Sequence, residues 1–405
     1  MSQTMCRIVS GRSSSVKGEQ SRIGGRRHRQ LQAMPAELSQ VGVRARVDRR
    51  GANVSRRMLV LAKAEAAERE SIKVIVAGGG IGGLMCARAL QTKGIQVEVY
   101  EKAREYRPFG GPIQLAGNAL SAIEAIDGEL AQKIMDDGVI TGDRVNGLLD
   151  GKTGAWYCRF DTRKPAFKNG IPLTQVIGRY KLQELLVEAV GEDIVNNGSK
   201  VVSFEDHEEG GVTAHLSDGS VVQGDILIGA DGIRSEVRQQ IRHHKDEPRY
   251  SGYTCYTGIC PFDSEDIEKI GYQVFLGSNQ YFVCSDVGNG LSQWYAFYNQ
   301  PAGMDDSNAD RKKVLQDLFA EWCPSVRERI TATPQENIER RDIYDMTPAM
   351  KWTEGRVALL GDAAHAMQPN MVGCENCRLT MLDDFLKPRG VRSRWDTWFG
   401  QKTSI

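Results

Sequence analysis

The sequence predicts an α/β protein, a parallel-sheet nucleotide-binding domain interrupted by an inserted, mainly antiparallel β-sheet domain. Three observations carry this. A strand, a glycine-rich turn, a helix and a second strand follow one another between Lys73 and Glu101. Two later apolar runs end alike, at Gly229-Ala230-Asp231-Gly232 and at Gly361-Asp362. Between those runs, aromatic and β-branched segments separated by glycine turns replace the helical period.

Of the 405 residues, 40% are hydrophobic and 26% charged, enough apolar material for one large or two medium cores without disulfides. Net charge is zero but unevenly spread. Residues 1–60 hold thirteen Lys or Arg against Glu19, Glu37 and Asp48. The body is therefore mildly acidic, which argues against nucleic acid as a partner. The basic stretch, rich in Arg, Ser and Gly without an apolar period, suits an organellar transit segment or a disordered basic tail. The nine cysteines are scattered, as reduced thiols are. Cys374 and Cys377 form a close pair that no second pair or His completes, so no metal site is expected. No apolar run approaches the length of a transmembrane helix.

The elements follow in order. A short helix is expected over 58–70. Val74-Ile75-Val76 reads as a buried parallel strand, 81–92 as a helix stopped by Gly94, and Gln96 to Glu101 as the next strand. Leu120, Ile123, Ile126, Leu130 and Ile134 predict one helix over 118–136. Short strands are expected over 146–160, a helix over 179–190, and strands over 200–206, 212–217 and 221–228. A meander follows over 272–276, 280–285 and 292–298. Then comes a helix with Ser307 or Asn308 as its cap and Val314, Leu315, Leu318, Phe319 and Trp322 as its apolar face. Pro324 ends that helix or starts another. Arg356 to Leu360 is the last buried strand. Expected domain bounds are 1–60 for the transit segment, with nucleotide-binding parts at 61–141, 179–248 and 349–371. Substrate-domain parts fall at 142–178 and 249–348, and a tail at 372–405.

Gly78, Gly80 and Gly83, together with Ile81 and Gly82, form a GxGxxG turn between strand and helix. Gly78 permits the tight turn, Gly80 admits a pyrophosphate, and Gly83 allows close helix–strand packing. The helix N-terminus favours the anion. Glu101, ending the second strand, is placed to accept ribose hydroxyls, which suits FAD or NAD better than NADP.

With Gly229-Ala230-Asp231-Gly232 and Gly361-Asp362-Ala363-Ala364-His365 in this order after GxGxxG, the chain resembles the single-component FAD monooxygenases of the aromatic-hydroxylase fold. It resembles the plant-type zeaxanthin epoxidases more closely still. Tyr250 to Gly258, Gln293 to Phe297, Arg340 to Asp345 and His365 to Met371 carry that resemblance, which runs over residues 71–371. It implies a Rossmann-like FAD-binding domain, NADPH or reduced ferredoxin as electron source, and O2 as co-substrate. It implies epoxidation of xanthophyll β-rings through a flavin C4a-hydroperoxide, with no catalytic side chain. It also implies a membrane-derived carotenoid substrate and a chloroplast location, stromal or peripheral on the thylakoid membrane. By the same resemblance Arg179 reaches the FAD phosphates or ribityl chain. Asp231 with Gly232 lies by the pyrophosphate, Asp362 with Gly361 by the ribityl chain, and Pro369 against the isoalloxazine. Tyr281, Trp294 and Phe297 are candidates to line a substrate channel.

The family continues with Gly-Gln-Gly-Gly-Cys where this chain has Val372-Gly373-Cys374-Glu375-Asn376-Cys377, and no similarity remains from Arg378 on. Two other readings stay open: an FAD hydroxylase of a smaller ring, and a flavoprotein without turnover.

Overall fold

The computed structural model describes residues 72–106, 111–262, 270–304 and 310–368. The transit segment expected over 1–60, the helix expected over 58–70, Ser307, Asn308, Pro369, the Cys374 and Cys377 pair and the tail from 372 lie outside the described residues.

Strand β1 (Lys73–Ala77) leads through the glycine turn into helix α1 (Ile81–Gln91) and strand β2 (Gln96–Glu101). The single helix expected over 118–136 is two, α2 (Gly117–Ile126) and α3 (Gly128–Asp137). Asp127 makes the break. Its carboxylate accepts the N–H groups of Glu129 and Leu130, each at 3.0 Å, and pairs with Arg88 at 2.6 Å. Strands β3 (Val145–Asp150) and β4 (Trp156–Phe160) come next. Helix α4 (Arg163–Asn169) follows, too short and polar to leave a period in the sequence. Then come α5 (Arg179–Val190), β5 (Val195–Asn197), β6 (Val201–Asp206) and β7 (Val212–Leu216).

The strand expected over 221–228 is also two, β8 (Val221–Gly224) and β9 (Ile226–Gly229), which join different sheets. Asp225 marks the switch by accepting the Lys73 N–H at 2.8 Å. Helix α6 (Glu236–Arg242) follows, then the strands β10 (Arg249–Pro261), β11 (Ile270–Gly277), β12 (Gln280–Asp286) and β13 (Leu291–Asn299). Helix α7 (Arg311–Leu318) is capped by Asp310, which accepts the Lys313 N–H, and not by Ser307 or Asn308. Leu315 and Phe319 are buried as expected, whereas Val314 is exposed. Pro324 starts α8 (Pro324–Ala332), at a position whose N–H would be unpaired anyway. Strands β14 (Glu339–Asp345), β15 (Thr353–Glu354) and β16 (Val357–Leu359) and the single turn α9 (Asp362–His365) complete the described chain.

One six-stranded sheet has the order β15-β16-β9-β1-β2-β5, parallel except for β15. The pleat of β1 sends Val74 and Val76 against α1, α2, α3 and α5. Ile75 and Ala77 face the small sheet β8-β7-β6 and α6. Each such Val or Ile side chain is worth roughly 1.5–3 kcal/mol when fully buried. The second large sheet has the order β14-β10-β13-β12-β11-β3-β4, antiparallel except where β11 meets β3. Helices α7 and α8 cover one face of it through Phe319, Val326 and Ile330. The architecture is thus a Rossmann-like α/β domain with an inserted, mainly antiparallel β-sheet domain. Cys86, Cys158, Cys255, Cys260, Cys284 and Cys323 are free, and burial pushes the Cys86 thiol up to about 12. Among the described residues no helix is long and apolar enough to cross a membrane, and no cluster of His, Cys or carboxylates could hold a metal.

Candidate functional site

Strands β1, β9 and β16 are neighbours, and their carboxyl ends open into three turns on one edge of the sheet, where ligands of open α/β sheets bind. The first turn is shaped by contact distances. Gly78 has φ +112°, and a Cβ there would lie 2.3 Å from the Ala230 carbonyl oxygen. A Cβ on Gly83 would lie 1.9 Å from the carbonyl oxygen of Gly78, so helix and turn touch only because both are glycine. Gly80 and Gly82 differ. A Cβ on either would meet nothing within 4 Å. They therefore border open space rather than packed protein. Gly80 caps α1 without a side-chain hydrogen bond, no acidic residue stands in the first turn, and Ile81 begins the helix. Its unpaired N–H groups and dipole face that space, a cradle for an anion.

The walls of the cradle come from distant segments. Glu101, half-buried at the end of β2, accepts the Gly79 N–H at 2.6 Å and the Ala103 N–H at 2.9 Å. These bonds fix its carboxylate, and each oxygen retains a lone pair for a ligand hydroxyl. Tyr106 donates to the Gly79 carbonyl at 3.0 Å, and Gln183 donates to it at 3.1 Å. Burial pushes the Tyr106 phenol up, so it stays a neutral donor. Gln183 anchors α5 to the turn, and Arg179 lies one helical turn earlier on the same face. Arg179 is exposed and begins α5.

The second turn is closed by its own side chains. Asp231 accepts the N–H groups of Glu236 at 2.8 Å and Val237 at 3.3 Å, and Ser235 accepts that of Arg238 at 2.9 Å. Asp231 thus caps α6, and burial raises its carboxyl above the usual range against those bonds. Its Oδ1 is buried with no hydrogen-bond partner among the described residues. Gly232 turns the chain at φ +86° and Gly361 at φ +66°, ahead of Asp362, the first residue of α9.

Arg238 links the second and third turns. Only 1% exposed, it donates to the carbonyls of Ile233 at 2.6 Å and Ala363 at 3.0 Å. Sequence reasoning missed Arg238, Tyr106 and Gln183. One of two Arg residues in a short polar helix carries no sign of burial, and the bonds of the other two run through backbone carbonyls. His365 packs its ring against Trp352, with centroids 5.3 Å apart, and Gln368 donates to Asp345 at 3.0 Å.

The channel candidates separate by strand parity. Tyr281 and Phe297 are cross-strand partners stacked at 4.4 Å, on the face of the large sheet away from α7 and α8. Trp294 is not with them. It is fully buried on the helix-covered face, stacked on Phe282 and donating to Thr333 Oγ1 at 2.8 Å, so it is core rather than channel lining. Tyr295, on the open face, donates to the carbonyl of Pro112 at 3.1 Å, joining that face to the segment after β2.

Comparisons with known proteins place the chain in a family. The family described as FAD binding domain matches residues 71–374. A chloroplastic zeaxanthin epoxidase of Nicotiana plumbaginifolia is 53% identical over 308 residues, 75% of this chain and 46% of that protein. That of Arabidopsis thaliana is 53% identical over 296 residues, 72% of this chain and 44% of the relative. The chain thus spans just under half the length of these relatives. The structure of Klebsiella pneumoniae HpxO complexed with FAD and uric acid is similar at TM-score 0.71 and 28% identity, covering 79% of this chain and 81% of that one. For 2,6-dihydroxypyridine-3-hydroxylase of Arthrobacter nicotinovorans the TM-score is 0.66 at 18% identity, over 82% of this chain and 88% of that one, a likeness of fold alone.

Proposed function

Because the chain belongs to the FAD-binding-domain family, we propose that it is an FAD-dependent monooxygenase that epoxidises the β-rings of xanthophylls, turning zeaxanthin into antheraxanthin and violaxanthin. One observation carries the reading. Identity of 53% extends over 308 residues, too far to lie in the nucleotide-binding parts alone, so the aromatic-bearing sheet is shared as well.

The residues present fit FAD. The open space over Gly80 and Gly82 would take the pyrophosphate, with the α1 N–H groups and the guanidinium of Arg179 to hold it. Glu101 accepts the adenosine ribose hydroxyls, held in place by its two backbone bonds. Asp231 and Gly232 would lie beside the pyrophosphate, and Gly361 and Asp362 by the ribityl chain. When bound, FAD supplies the acceptance of electrons from NADPH or reduced ferredoxin and the activation of O2. One oxygen atom goes to the ring double bond and the other to water. The protein's part is orientation and exclusion of water. Tyr281 and Phe297 back the substrate on the open sheet face. The chloroplastic relatives support a plastid location, in the stroma or on the thylakoid surface.

The test is to supply the purified chain with FAD, a donor and zeaxanthin in detergent micelles, and to separate the pigments by chromatography. Antheraxanthin followed by violaxanthin is expected. Donor oxidation without epoxide would overturn the substrate, and no flavin binding would overturn the site.

A further inference from the structure

The corner formed by β4 and α4 exposes apolar side chains that a folded chain normally buries. Tyr157 is 60% exposed, Phe160 49% and Phe167 64%. The Thr162 hydroxyl donates to the Gly142 carbonyl at 2.8 Å, which brings up the segment carrying Ile140 and Val145, also exposed. In α4 the buried residue is the small Ala166, and the large Phe167 points outward. β4 is the last strand of its sheet, so no further strand covers it among the described residues.

The charges interleaved with these rings are mostly positive. Arg159, Arg163, Lys164 and Lys168 stand in the same segment, against Asp161, which pairs with Lys164 at 3.0 Å. The Arg159 guanidinium lies 4.8 Å from the centre of the Trp156 ring, and that of Arg163 5.4 Å from the Phe167 ring. Exposed aromatics set among Lys and Arg match the boundary of an anionic bilayer. There the rings enter the headgroup region and the cations meet phosphate.

A second observation ties this corner to the site. Tyr295, Val283, Val274, Leu148 and Cys158 are successive cross-strand partners, side by side on the face away from α7 and α8. The row begins at Tyr295, bonded to Pro112, and ends on β4 two residues before Phe160. At strand spacing it is about 19 Å long.

We infer that the β4–α4 corner is a docking surface for an anionic lipid bilayer, and that the row across the sheet is the apolar path along which a long lipid-borne substrate reaches the flavin side. The path rests on the carotenoid reading above. Docking itself needs no turnover.

The experiment is flotation of the full chain with phosphatidylcholine vesicles, with or without phosphatidylglycerol. Two variants are compared with wild type, Phe160→Ser with Phe167→Ser, and Arg163→Glu with Lys168→Glu. Met350→Ser, at a residue 89% exposed elsewhere, is the control. Flavin content and melting temperature check that each folds. Wild type and control should float with the anionic vesicles, and each double variant should bind about tenfold or more weakly. All proteins share the basic residues 1–60, so equal binding by the variants would assign flotation to that segment and overturn the inference. A serine-sensitive self-association without vesicle binding would overturn it in favour of a second copy. Turnover of micellar zeaxanthin is scored separately. Turnover without docking leaves the epoxidase reading standing, and docking without turnover removes the substrate path alone.

Discussion

Helices α1 and α6 both begin at the carboxyl ends of neighbouring strands, and they solve the same problem in opposite ways. α6 fills its N-terminus from within, with Asp231 and Ser235 accepting three of its first N–H groups. α1 leaves its own bare, with Gly80 as cap and free space where side chains would stand. An N-terminus closed by its own carboxylate has nothing left for a phosphate, whereas a bare one needs an anion from outside. A glycine-rich strand end and an acidic strand end thus do different work side by side.

The contrast is open to breaking. The largest effect is expected at Gly83→Ala, where the new methyl must displace a backbone oxygen. Denaturant unfolding should show a loss of about 3 kcal/mol or more, together with loss of bound flavin. Gly80→Val separates the two roles, since φ is −73° and the Cβ meets nothing within 4 Å among the described residues. Stability should fall by about 1 kcal/mol or less. FAD affinity, read by fluorescence titration, should drop about a hundredfold, or 2.7 kcal/mol at ~1.36 kcal/mol per decade. Unchanged affinity would mean that the space over Gly80 is not the cofactor cradle. Arg179→Ala should leave unfolding within about 0.5 kcal/mol and weaken FAD about tenfold, less so at high salt.

On the α6 side, Ser235→Ala should cost about 1 kcal/mol of stability. Its FAD affinity should not move, and a large drop would tie this cap to the cofactor. The smallest effect concerns pH. Burial raises the Asp231 carboxyl in the folded state, so its stabilising contribution is complete below the unfolded value of about 3.9 and is lost as pH rises through the folded one. Asp231→Asn keeps an acceptor for α6. It should gain on wild type as pH rises from acid towards neutral, and a constant gap in melting temperature would refute that sign.

What was legible in the sequence follows from where the information sits. The βαβ unit announces itself because β1 is buried on both faces and the turn needs glycine at Gly78 and Gly83. The switch at Asp225 and the break at Asp127 were not legible. Each is a carboxylate bonded to backbone N–H groups inside an otherwise periodic run, so the apolar pattern crosses it undisturbed. Trp294 and Phe297 read alike in a string of aromatics, and only strand register sends one into the helix-covered core and the other to the open face. Arg238 was hidden for a simpler reason: its hydrogen bonds run to backbone carbonyls, and its carboxylate neighbour Asp246, 3.7 Å away, lies beyond the end of the helix.

Strand β16 also sets a schedule. It lies beside β9, more than a hundred residues earlier in the chain, and brings in the third turn of the site. During synthesis β1, β2 and β9 leave the ribosome well before residue 357, so the edge of β9 waits unpaired while β10 to β14 of the antiparallel domain are made. Closing so long a loop is slow and leaves a strand edge open to misassembly meanwhile. FAD loading must therefore come late, after the inserted domain has folded and returned the chain to the first sheet. A pulse-labelled chain stopped short of residue 357 should hold no flavin, however complete its glycine turn.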